Sequence, residues 1–197
     1  MKKKFFIIIL LIFGLTQNVF AYSSDPKQFI QEIVDEAKKI LRDSNTQEFK
    51  EKKLSEMALE TVDIKGVGFY SLGGYKKELN DEQLKKYHEL FEKYFLKSFT
   101  SRLTDYSDPK IDVLSIDILN EKYTIVKSLL LATDKKPEVK IEWRVYTKNP
   151  DKPLIRDLII EGLSLARTQK EEFASVIESN NGDVTKLFIT LKDFVNK

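Results

Sequence analysis

Apolar positions recur with a helical period over the first half of the chain, alternate through the middle, and return to a helical period at the end. Asp25-Pro26 reads as an N-cap followed by proline at the first helical position. Phe29, Ile30, Ile33, Val34, Ala37, Ile40 and Leu41 then fall on one helical face. Asn45 with Glu48 three residues on has capping-box spacing and opens a second helix carrying Phe49, Leu54, Met57 and Ala58. Residues 62–75, VDIKGVGFYSLGGY, hold four of the seven glycines. They predict a short helix closed by Gly73 or Gly74, because glycine accepts the left-handed backbone that ends helices. Asn80 with Gln83 caps a long helix running to about Leu103, with Leu84, Tyr87, Phe91, Tyr94, Phe95, Ser98 and Phe99 on one face.

After Pro109 the pattern becomes that of strands. Ile111–Leu119 and Tyr123–Thr133 are rich in β-branched residues, and the run Leu129, Leu130, Leu131 suggests burial on both faces. Glu138–Thr147 alternates, with Val139, Ile141, Trp143 and Val145 opposite Glu138, Lys140, Glu142 and Arg144. Pro153–Glu161 is a fourth strand, reached through the turn Asn149-Pro150-Asp151. The short links favour antiparallel pairing, since a parallel crossover needs about a dozen residues or more. A helix near Thr168-x-x-Glu171 carries Phe173, Val176 and Ile177. Another from Asp183 carries Leu187, Phe188, Leu191, Phe194 and Val195. The fold class is therefore α+β: a curved antiparallel sheet of about four strands with helices packed on one face.

The N-terminus changes the picture of compartment. Lys2, Lys3 and Lys4 precede an apolar stretch from Phe5 to Leu15, and Val19-x-Ala21 offers the small residues that a signal peptidase reads. Residues 1–21 are expected to be a cleaved signal peptide and residues 22–197 a single exported domain. The formal charge of +2 belongs to those three lysines. Without them the balance is slightly negative, and net charge gives no support to nucleic-acid binding. There is no cysteine, so no disulfide, thiolate nucleophile or cysteine metal site is available. The 13 phenylalanines and eight tyrosines point to an aromatic core.

Candidate chemistry is sparse. Gly162-x-Ser164-x-Ala166 is one methyl group from the G-x-S-x-G elbow of serine hydrolases. No histidine follows Ser164, and the single histidine, His88, sits at the edge of the long helix's apolar stripe. The bland reading of Ser164 is a turn or helix-capping hydroxyl. Gly66-x-Gly68-x-x-Ser71 has some of the spacing of a dinucleotide loop but lacks a preceding strand and a βαβ unit. Helix punctuation and close packing explain it better. With one histidine only oxygen metal ligands remain, without EF-hand spacing. Lys135-Lys136 and Lys76-Lys77 are ordinary solvated pairs. Periodicity alone leaves open whether the apolar faces meet in a filled core or around a cavity.

Three stretches carry a resemblance. Residues 155–173, IRDLIIEGLSLARTQKEEF, are similar to a signature of the MlaC/toluene-tolerance family of periplasmic phospholipid-binding proteins. That signature has an aspartate on the last strand, an E-G-x-S turn and a phenylalanine on the next helix, here Asp157, Glu161-Gly162-Leu163-Ser164 and Phe173. Asp63, Leu72-Gly73, Tyr75 and Gln83 match a second stretch, and Gly182, Leu187 and Leu191 a third. The resemblance covers about residues 25–195. It departs where the family has a tryptophan before the strand aspartate, here Pro153-Leu154, and an N-Y-R run, here Thr168-Gln169-Lys170. It implies an auxiliary component of an ABC transporter that maintains outer-membrane lipid asymmetry. Such a protein has no enzymatic chemistry, cofactor or metal, and it holds phospholipid acyl chains in an apolar cavity between helices and sheet. Its implied partners are phospholipid, an inner-membrane MCE-domain/ABC transporter complex and an outer-membrane lipoprotein–porin complex, with no nucleic acid. With the long helix facing the Trp143 strand, the cavity is expected at Phe91, Phe95, Leu129, Leu131, Ile141, Trp143 and Val145, with Leu72 and Tyr75 at the rim. A packed interaction protein and a serine esterase using Ser164 are the alternatives.

Overall fold

Side-chain caps fix where most helices begin. In the computed structural model, which describes residues 22–134 and 137–197, Asp25 accepts from the Gln28 N–H and starts α1 (Pro26–Arg42). The expected signal peptide and the Lys135-Lys136 pair lie outside the described residues. Thr46, rather than Asn45, accepts from Phe49 N–H and starts α2 (Gln47–Thr61). The Asn45–Glu48 spacing is a one-residue misreading: the Asn45 side chain donates to Asp43 instead. Asp63 caps α3 (Ile64–Leu72), and Gly73, at φ +62°, ends it before a 3₁₀ turn, as expected. Asn80 and Gln83 form both bonds of the predicted capping box on α4 (Asp81–Leu103), whose 23 residues span roughly 35 Å.

The sheet runs in sequence order: β1 (Ile111–Asn120), β2 (Tyr123–Leu130), β3 (Val139–Tyr146), β4 (Leu154–Ile160) and β5 (Leu163–Ser164), every pair antiparallel. The two-residue β5 was not foreseen. It exists because Glu161 and Gly162, at φ 49° and 82°, make a tight turn of the primed type that folds Ser164 back onto Ile159. The final helices are α5 (Leu165–Glu178) and α6 (Val184–Asn196). α5 begins three residues before the expected Thr168, because Ser164 is its cap.

Two cores share α4. The first joins Phe29, Ile30, Ile33 and Val34 of α1 and Leu54 and Met57 of α2 to Val126, Val145 and Ile155 of the sheet. The second joins Ile64 and Leu72 of α3, Tyr87 and Phe91 of α4, Phe173 and Ile177 of α5, and Leu187 and Leu191 of α6. Each fully buried side chain of this size contributes about 1.5–3 kcal/mol. Phe99 and Leu103 pack on the first core and Phe95 on the second. The Phe95 and Phe99 rings stack at 5.9 Å and 9°, joining the two.

Alternation divides the sheet. Val126 opposite Trp143 and Thr124 opposite Val145 belong to the face that meets α1. Ile125 opposite Arg144 and Lys127 opposite Glu142 point the other way. A bulge in β4 sets Asp157 opposite Arg144 and Ile155 opposite Val145, so Arg156 is the extra residue.

Candidate functional site

The Arg156-Asp157 dipeptide of β4 ties two helix starts to the sheet. Asp63 caps α3 through Oδ1, which accepts from Gly66 N–H at 2.9 Å. Its Oδ2 takes Arg156 through Nε at 2.7 Å and Nη2 at 2.6 Å. Arg156 also donates from Nη1 to the Tyr123 hydroxyl at 2.8 Å and lies 3.7 Å from the Tyr146 ring centroid. A Cβ on Gly66 would meet the Asp63 carboxylate at 2.4 Å, which is why α3 carries glycine there.

Asp157 does the same for α5. It is buried, accepts the Ser164 hydroxyl on Oδ2 at 2.6 Å and Ala166 N–H on Oδ1 at 2.9 Å. Arg144 Nη1 lies 3.5 Å from the same Oδ2. Ser164 Oγ in turn accepts from Arg167 N–H at 3.1 Å, so the residue that resembled a hydrolase nucleophile is a helix cap held by an aspartate. His88 packs its ring 6.0 Å from Phe69 and borders a small recess with Leu59 and Glu92.

Above these pairs is a cavity of about 380 Å³. Gly66, Val67 and Tyr70 of α3 and Ala166 of α5 form one side. Tyr123, Arg144, Arg156 and Asp157 form the sheet side, and Leu119 and Asn120 of the β1–β2 hairpin close one end. Val67 has two neighbours: it lines this cleft and packs on the second core. The cleft is amphiphilic, with aliphatic and aromatic surface facing a row of guanidinium and hydroxyl groups.

None of the nine residues expected around the cavity lines this cleft. Leu72 and Phe91 are buried in the second core, with Phe95 and Tyr75 packed against it. The Tyr75 hydroxyl reaches Glu178 at 3.4 Å. Val145 is buried in the first core, and Trp143 packs on that core while donating Nε1 to Ser128 Oγ at 2.8 Å. Ile141, opposite Ser128, shares their face. Leu129 pairs with Lys140 and points away from that face, and Leu131, just past β2, donates its N–H to the Lys110 carbonyl at 2.8 Å. The long helix meets the Trp143 face through Phe99 and Leu103, one to two turns beyond Phe95. The arginines on the sheet side of the cleft were not expected there because they sit on the polar side of their strands. The signal that could have found them is the pair Asp63 and Asp157, the first capping α3 and the second reaching from β4 to the first turn of α5.

Among the described residues no helix is long and apolar enough to cross a membrane, and no cluster of three or more acidic or histidine side chains could hold a metal. A family model described as MlaC protein matches residues 31–193. The fold is also that of a phospholipid-binding protein from Ralstonia solanacearum, solved in complex with a phospholipid. The two share 19% identity at a TM-score of 0.72, over 88% of this chain and 97% of that one. No curated protein matches this sequence.

Proposed function

The chain belongs to the MlaC protein family, and from that premise we propose that it is a periplasmic phospholipid carrier. It takes lipid by the acyl chains, without covalent chemistry or cofactor. It exchanges lipid between an inner-membrane MCE-domain/ABC transporter complex and an outer-membrane lipoprotein–porin complex. The observation that carries the reading is the cleft between α3, α5 and the sheet, apolar on one side, where the lining residue Val67 also packs on the second core.

Magnitudes shape the mechanism. Thirty methylenes leaving water would contribute about 24 kcal/mol at ~0.8 kcal/mol each, beyond the roughly 18–21 kcal/mol at which non-covalent affinity saturates. A carrier must therefore match bilayer rather than defeat water, and an aliphatic and aromatic interior does this without strong anchors. A cleft of 380 Å³ lies near the lower end of ligand pockets, roughly 300–1,000 Å³. We assign it to the entrance. Chains then wedge past Val67 into the second core, against Leu72, Phe91 and Phe95, with Tyr75 at the rim. Ile141, Trp143 and Val145 act as scaffold on the first core, with Leu129 and Leu131 outside the chain path.

The test is native mass spectrometry of the purified mature protein with lipid extraction. The expected mass includes phospholipid, and Val67→Trp, which fills the entrance, removes most of it while circular dichroism stays folded. Wild-type protein that neither retains lipid nor extracts it from vesicles would overturn the proposal. It would favour a packed interaction protein, a reading supported by Leu72, Phe91 and Val145 being at most 1% exposed.

A further inference from the structure

Resting on the cleft as the lipid entrance, we propose that Arg144 is its phosphate-binding residue. Its guanidinium takes an anionic phosphate oxygen, the chemistry of both a phospholipid headgroup and free phosphate. Three charged side chains line the cleft, Arg144, Arg156 and Asp157, and Asp63 pairs with one of them; all but Arg144 have close partners. Arg156 uses Nε and Nη2 on Asp63 and Nη1 on Tyr123. Asp63 is filled by that pair and by Gly66 N–H. Asp157 takes the Ser164 hydroxyl at 2.6 Å and Ala166 N–H at 2.9 Å.

Arg144 is the exception. Its ion-pair contact, Nη1 to Asp157 Oδ2, is 3.5 Å long, against about 2.7–2.9 Å for a charge-assisted hydrogen bond. Ser164 occupies that oxygen more closely. Among the described residues, Arg144 Nε is buried without a hydrogen-bond partner, a rare state for a native donor. The side chain is still 37% exposed, so the remaining donors reach the cleft. The terminal Nη groups form a planar fork whose spacing matches two phosphate oxygens. Pairing with Ile125 on one side and Asp157 on the other fixes the backbone from which it projects. Val67, Leu119 and Ala166 supply apolar surface in the same cleft, so a bound amphiphile would set its phosphate at Arg144 with its chains towards Val67.

A residue that merely steadied Asp157 would alter stability but not lipid choice. The experiment therefore offers the purified protein vesicles containing phosphatidylglycerol and diacylglycerol with identical chains, and measures the bound ratio by mass spectrometry. Wild type should favour phosphatidylglycerol by roughly ten- to a hundredfold. Arg144→Met should bring the ratio towards one, and Arg144→Lys, a point charge without the fork, should fall between. In parallel, the Arg144 Nε–Hε resonance of the wild type is followed during titration with inorganic phosphate and, separately, with phosphatidylglycerol vesicles. Movement with the vesicles alone assigns the ligand to a headgroup, and movement with inorganic phosphate alone to the free anion. An unchanged ratio in Arg144→Met with a resonance that neither titrant moves overturns the proposal. If Arg144→Met fails to fold, the wild-type titrations decide. If wild type takes up neither lipid, the carrier reading fails while the phosphate titration still tests Arg144.

Discussion

Ser164 shows how a single hydroxyl can look catalytic in a sequence and be structural in a fold. It donates to Asp157 and accepts from Arg167 N–H, closing the first turn of α5. Ser164→Ala should cost about 1 kcal/mol in a denaturant titration and leave lipid uptake in place; loss of an esterase activity in that variant would contradict this role. Glycine gives a paired test. A Cβ on Gly68 would meet the buried Phe91 ring at 2.7 Å, whereas one on Gly74 meets nothing within 4 Å. Alanine at 68 gains about 1 kcal/mol of helix propensity but forces repacking at roughly 1–3 kcal/mol. We therefore expect Gly68→Ala to lower the melting temperature and Gly74→Ala to leave it equal or higher. The helix-breaking and packing roles of Gly66, Gly68 and Gly73 were legible in the sequence. Arg144 was not, because an arginine on the polar side of an alternating strand looks solvated until another element covers that side.

At the scale of elements, α3 and α5 are held by the same device: an aspartate accepts from the helix's first turn and pairs with an arginine of the sheet. The better pair is Asp63–Arg156, two-pronged and about a quarter exposed, with side chains 18% and 30% accessible. A double-mutant cycle with Asp63→Asn and Arg156→Met should give a coupling of about 1–2 kcal/mol, inside the usual range for contacting residues. A coupling near zero would mean that each residue acts alone. Helix faces and four strand positions could be read from periodicity, and antiparallel pairing from the short links between strands. The start of α5 could be read only in part: Ser164 was a candidate helix-capping hydroxyl, but the helix was placed near Thr168, because the cap is fixed by Asp157, seven residues earlier on β4 and brought alongside by a two-residue turn. The meeting of α4 with the sheet was misplaced for a similar reason. Periodicity says which face of a helix is apolar but not which of its turns reaches the sheet.

At the scale of the whole molecule, the described residues form two apolar cores strung along one helix. Ligand bound to the folded state stabilises it by mass action, about 2.7 kcal/mol at a hundredfold excess over Kd. That stabilisation need not be shared equally by the two cores. α4 serves the second core with Tyr87, Phe91 and Phe95 and the first with Phe99 and Leu103. Its backbone amides are thus a ruler laid across the protein. In a hydrogen-exchange experiment, lipid should slow exchange over residues 87–95 and leave residues 99–103 at their unliganded rates; uniform slowing along the helix would place the cargo elsewhere. The stacked Phe95 and Phe99 rings would then mark a boundary in time as well as in space: on one side amides whose clocks depend on cargo, on the other a scaffold that keeps the same time empty or full.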